Sequence, residues 1–79
     1  MKRQIMKEEF VFRPYGKAEL AMAYTQGEMS ERSALNWLNR EIEQYPGLRE
    51  RLEQLGYVRR QRVVTIAQLH AIVECIGTP

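Results

Sequence analysis

Residues 16–44, GKAELAMAYTQGEMSERSALNWLNREIEQ, decide the fold, because two helical patterns meet within them at a short glycine-bearing turn. Leu20, Ala21 and Tyr24 recur at spacings of one, three and four, and Ala18, Ala21 and Ala23 favour helix. Glu19 falls in the first turn, where negative charge suits the helix dipole. With Gly27 as the expected stop, this helix is placed near residues 16–25. Ser30 reads as the N-cap of a second helix near residues 30–44. At about 100° per residue, Ala34, Leu35, Leu38 and Ile42 share one face, with Trp37 at its margin. Arg32, Asn36, Asn39, Arg40 and Glu43 fall on the opposite arc.

Downstream, Tyr45-Pro46-Gly47 breaks the second helix. A short third one, residues 48–55, carries Leu48, Leu52 and Leu55 at i, i+4, i+7, and Gly56 is its expected left-handed stop. Tyr57-Val58 and Val63-Val64 read as two extended pieces around the basic tip Arg59-Arg60-Gln61-Arg62, a ribbon over residues 57–64. The last helix, residues 65–76, is the best marked. Thr65 to Gln68 is a capping box, Val64 and Leu69 form a hydrophobic staple, and Ile66, Leu69, Ile72, Val73 and Ile76 give an apolar stripe. Upstream, Glu9-Phe10-Val11-Phe12-Arg13 reads as an edge strand stopped by Pro14 and paired with Val63 and Val64. Residues 1–8 show no period and are expected to be frayed. The expected fold is α+β, mainly α. It is a single winged helix-turn-helix-like domain over residues 9–79, with a minimal two- or three-stranded sheet.

Composition narrows the function classes. The chain has 79 residues, 44% of them hydrophobic and 28% charged, which suits one small globular domain. Twelve Lys plus Arg stand against ten Glu and no Asp, a net charge of +2 that is compatible with nucleic acid without demanding it. The lone Cys75 excludes an internal disulfide, and no Cys/His cluster offers a structural zinc site. No apolar run approaches the roughly 20 residues of a membrane span, and the basic start lacks the apolar stretch of a secretory signal. The expected location is the cytoplasm, with no membrane association.

Two resemblances follow from particular residues. Lys17-Ala18-Glu19-Leu20-Ala21 before a turn and second helix, and Arg62-Val63-Val64-Thr65 with Gln68-Leu69 and Ile72, resemble winged-helix domains of the MerR and excisionase type. The chain lacks their Arg-Tyr-Tyr type stretch after the second helix and their long C-terminal dimerising helix. Several further motifs resemble a family of short bacterial proteins known only as a domain of unknown function. These are Tyr15-Gly16-Lys17 with Glu19-Leu20-Ala21, Ala34-Leu35 with Leu38, Gly56-Tyr57, Arg62 and Thr65 with Gln68, and Ile72-Val73-Glu74 with Ile76-Gly77 and Pro79. That resemblance implies no activity.

Catalysis is not expected. His70 and Cys75 lie five positions apart on one helix, too far round it to pair, and no Asp exists to orient a base. His70 reads as a surface residue and Cys75 as a semi-buried apolar one. The five glycines are scattered at element ends, so no phosphate-cradling loop is present, and no cofactor or metal is implied.

DNA binding has three supports of unequal weight. Arg59, Arg60 and Arg62 on the ribbon suit phosphates or a minor groove, although charged hairpin tips also serve solubility. Arg32, Asn36, Asn39 and Arg40 are side chains of the kind that reach base edges, Arg to guanine and Asn to adenine. Against that face, residues 31–56 carry four basic and five acidic groups. The basic start, Lys2, Arg3 and Lys7, carries little weight. The expected partner is double-stranded DNA, bound by helix 30–44 and the ribbon. The alternative is a protein-binding adaptor on the same scaffold, for which Trp37, Tyr45 and Tyr57 are candidate contacts and Trp37 a candidate core anchor. Nothing in the sequence requires self-association.

Overall fold

The computed structural model describes residues 10–79. The fraying expected of residues 1–8, and the arm of Lys2, Arg3 and Lys7, lie outside the described residues. Four helices follow in order: α1 (Lys17–Thr25), α2 (Glu31–Gln44), α3 (Leu48–Gln54) and α4 (Ile66–Ile76). Two short strands, β1 (Tyr15–Gly16) and β2 (Val63–Val64), pair antiparallel with Tyr15 opposite Val64 and Gly16 opposite Val63. The protein is mainly α with a minimal two-stranded sheet, as the sequence leads one to expect.

Helix boundaries follow local chemistry. The Ser30 hydroxyl accepts from the Ser33 amide at 3.2 Å and opens α2. At α4 the Thr65 hydroxyl accepts from the Gln68 amide at 3.2 Å, while Gln68 Oε1 accepts from the Thr65 amide at 3.2 Å. Before α1, Gly16 has no side chain to cap with, so only the return half exists: Glu19 Oε1 accepts from the Gly16 amide at 3.2 Å. The stop after α1 comes one residue earlier than Gly27, at Gln26 (φ 58°). The core joins Leu20 and Ala21 of α1, Ala34, Leu38 and Ile42 of α2, Leu48 and Leu52 of α3, Val64, and Leu69, Ala71 and Ile72 of α4. Trp37 is half-buried against this core, its ring centroid 5.7 Å from that of Tyr24.

Three expectations need correction. Residues 10–12 do not form the strand; the ladder runs through Tyr15 and Gly16, beyond Pro14. The aromatic side chains of the earlier stretch pack against Tyr15 and α4 instead. Phe10 stacks on Tyr15 at 5.4 Å, Phe12 stacks on His70 at 4.5 Å, and the Tyr15 hydroxyl donates to the Val11 carbonyl at 2.7 Å. Nor is there a two-stranded ribbon over residues 57–64. Gly56 (φ 88°) reverses the chain, the Tyr57 amide returns to the Leu52 carbonyl, and the Gln61 amide closes a tight turn on Val58. The backbone of residues 57–58 is thereby spent in local turns, and β2 pairs with β1 alone. Finally, α3 ends at Gln54, so Leu55 leaves the helical stripe and stands 40% exposed while Tyr57 takes the buried place. His70 is exposed and Cys75 half-buried, as read from the sequence.

Candidate nucleic-acid interface

The start of α1, one flank of α2 and the turn after α3 enclose a single groove of about 650 Å³. Arg32, Asn36 and Asn39 line it from α2, and Arg59, Arg60 and Arg62 line it from the turn. Six of the seven candidate contact residues therefore meet in one concavity, although they come from two stretches of sequence. The seventh, Arg40, is exposed and lies outside it. It sits about 100° round the helix from Asn39, and the groove takes the Asn39 side. Leu35, expected in the core, is half-buried and forms part of the groove wall, alongside Glu31.

Charge is distributed unevenly around this groove. Arg13 pairs with Glu19, Arg49 with Glu43 and Glu53, and Arg51 with Glu74. All three of these arginines lie outside it. Arg32, Arg59, Arg60, Arg62 and Lys17 line it, and none forms an ion pair among the described residues. One carboxylate, Glu31, stands on the same wall. The concavity is therefore strongly positive although the chain as a whole carries only +2.

Two residues that sequence reasoning missed hold the turn in place. Lys17, first residue of α1, is 3% exposed. Its ammonium donates to the Arg59 carbonyl at 2.6 Å and lies 5.0 Å from the Tyr57 ring centroid, while its amide donates to the Arg62 carbonyl at 2.7 Å. Burial, with the Arg59 charge as a lesser cause, pulls the amine down to about 8. Gln61 is the second. Its Oε1 accepts from the Val58 amide at 2.9 Å, and its Nε2 donates to the Val63 carbonyl at 2.7 Å and to Gln68 Oε1 at 2.6 Å. Gln68 is itself buried and donates to the Leu55 carbonyl at 3.0 Å. The only available signal was Gln61 interrupting a run of arginines, and Lys17 directly following a glycine.

Asn39 is half-buried, and its Oδ1 lies buried without a hydrogen-bond donor. It is the one buried side-chain polar atom in that condition among the described residues, and its residue lines the groove.

The fold and site thus define a small, mainly α domain built around a basic groove. Residues 11–79 match the model of a family described as a domain of unknown function, DUF4248, and the chain belongs to that family. No curated protein matches it, and no solved structure does. No helix among the described residues is long and apolar enough to cross a membrane.

Proposed function

We propose that this chain is a non-enzymatic, cytoplasmic DNA-binding domain of winged helix-turn-helix type, acting as a transcriptional regulator or an accessory to one. The observation that carries the reading is the contrast between paired and unpaired cations. Three of the four described arginines outside the groove, Arg13, Arg49 and Arg51, pair with glutamates and Arg40 does not. The four arginines and one lysine that line it, by contrast, have no glutamate partner among the described residues and are open to an external anion. In this reading α2 approaches a major groove, with Arg32, Asn36 and Asn39 toward base edges, and the turn bearing Arg59, Arg60 and Arg62 takes the place of a wing on the phosphates.

The test is anisotropy of a labelled random-sequence duplex at about 50 and then 200 mM salt. With four phosphate contacts, affinity falls roughly a hundredfold between the two. Replacing Arg59, Arg60 and Arg62 together with Ala should abolish most binding and flatten the salt slope while leaving the circular dichroism spectrum intact. Unchanged binding by that variant overturns the reading.

A second reading has its own support. Leu55, Val58, Val63 and Ile66 are large apolar side chains at 40–60% exposure, and the backbones of the first three are hydrogen-bonded to Gln61 or Gln68. Exposed large apolar side chains of this kind suit a protein partner. Absence of duplex binding at the lower salt, with a partner retained on the wild-type chain and lost on Val58→Glu, favours the adaptor.

A further inference from the structure

We infer that the groove is built around a single phosphate seat, with the Lys17 ammonium as its buried anchor and Arg59 and Arg62 as its flanks. The inference rests on the proposed nucleic-acid reading and names the chemical unit that the site holds.

A lysine 3% exposed is unusual unless its charge is compensated. Here the compensation is incomplete. An ammonium has three donors, and among the described residues one acceptor, the Arg59 carbonyl, receives from it. The Tyr57 ring covers another side at 5.0 Å. Among the described residues no carboxylate lies within ion-pair distance of Lys17, and the neighbouring charges on the groove are mostly of the same sign. A protein gains nothing from gathering Arg59, Arg60, Arg62 and Arg32 round a desolvated ammonium unless an anion joins them. An anion there would supply acceptors for the two free N–H groups and bridge the amine to the forked guanidiniums. The amine already titrates near 8, so the apo site holds its proton only loosely above neutrality.

Phosphate fits this set better than carboxylate. It offers several acceptor oxygens that an ammonium and the arginines lining the same groove can share. Two sources share that chemistry, the backbone of a nucleic acid and a free phosphate compound.

The groups facing Lys17 make a pH test selective. The other charged groups lining the groove are Arg32, Arg59, Arg60, Arg62 and Glu31, and guanidiniums, carboxylates and phosphodiesters as classes do not titrate between pH 7 and 9. Burial holds the Tyr57 hydroxyl above its ordinary value of 10.0, so it stays neutral. Binding that needs the ammonium is full below about pH 8 and is lost as pH rises through that value.

The experiment measures affinity for a fluorescein-labelled duplex at pH 7 and pH 9, at constant low ionic strength, for wild type, Lys17→Met and Lys17→Arg. The wild type should weaken about tenfold at pH 9. Lys17→Met should match that weakened value at both pH values, and Lys17→Arg should show no pH dependence. Equal wild-type affinity at the two pH values, or Lys17→Met binding like wild type at pH 7, overturns the seat. Should Lys17→Met fail to fold by circular dichroism, the wild-type profile set against Lys17→Arg decides.

If Lys17→Met keeps wild-type affinity while the triple arginine variant loses it, the seat fails and the nucleic-acid reading stands. If wild type binds neither duplex nor pyrophosphate at low salt, both fail. Competition with inorganic pyrophosphate at pH 7 and fixed ionic strength identifies the source. Displacement shows a seat open to free phosphate compounds, and persistence of the complex shows one that takes the backbone; either result supports the seat.

Discussion

Gln26 is the one non-glycine residue with positive φ among those described, and it closes α1 from the left-handed region. An L side chain there costs about 1 kcal/mol, and glycine relieves it at the expense of a freer unfolded chain. Its neighbour Gly27 (φ 73°) has no atom within 4 Å of a notional Cβ, so crowding does not force the turn. The hydrogen bonds do: the Gly27 amide reaches the Met22 carbonyl at 3.1 Å and the Gln26 amide reaches Ala23 at 3.3 Å. Gln26→Gly should therefore raise stability by about 0.5–1 kcal/mol in urea unfolding. A lower midpoint would mean that the Gln26 side chain contributes something its backbone strain conceals.

At the scale of elements, the basic turn depends on one amide side chain. Gln61 bonds to Val58, Val63 and Gln68, joining the turn to β2 and to the cap of α4. Gln61→Ala should cost about 1–2 kcal/mol, since buried Gln68 loses a donor and the turn loses its internal acceptor. Chemical unfolding measures this, and an unchanged midpoint would show that water replaces the amide without loss.

The same elements show why the sequence was only partly legible. Helices were readable where a cap and an apolar stripe coincide, as at Ser30 with Leu38 and Ile42, or at Thr65 and Gln68 with Leu69 and Ile72. The strand was misplaced because Phe10, Val11 and Phe12 have strand-forming side chains, while the ladder is set by where Val63 and Val64 come to lie. The arginines and asparagines of the groove were legible as two separate basic or amide-bearing stretches, but their meeting was not. Lys17 was hidden for a further reason. Its burial comes from contact with residues 42 positions away, and no local pattern marks a lone lysine after a glycine as interior.

For the whole molecule, the buried ionisable groups set a stability profile with a maximum. Lys17 loses its proton near pH 8 in the folded chain and near its ordinary 10.5 when unfolded. Between those values the unfolded chain binds more protons, so stability rises with pH, by roughly 1–3 kcal/mol. Tyr24 acts in the opposite sense. Burial pushes it up to about 12 from an ordinary 10.0, and Tyr57 is raised for the same reason. Above pH 10 the unfolded chain therefore releases protons that the folded chain keeps, and stability falls. Unfolding midpoints across pH 7–11 should climb to a maximum near pH 10 and then drop. A flat profile from pH 8 to 10 would place the Lys17 amine in water.

The groove described above is assembled from three separate stretches: the start of α1, the flank of α2, and the turn between α3 and β2. None of these stretches contains it alone, so it exists only when the fold brings them together. Whatever occupies the groove must discriminate the native ensemble from every unfolded conformer. Its occupancy is then a vote for the fold, and ligand concentration becomes a variable of the folding equilibrium itself.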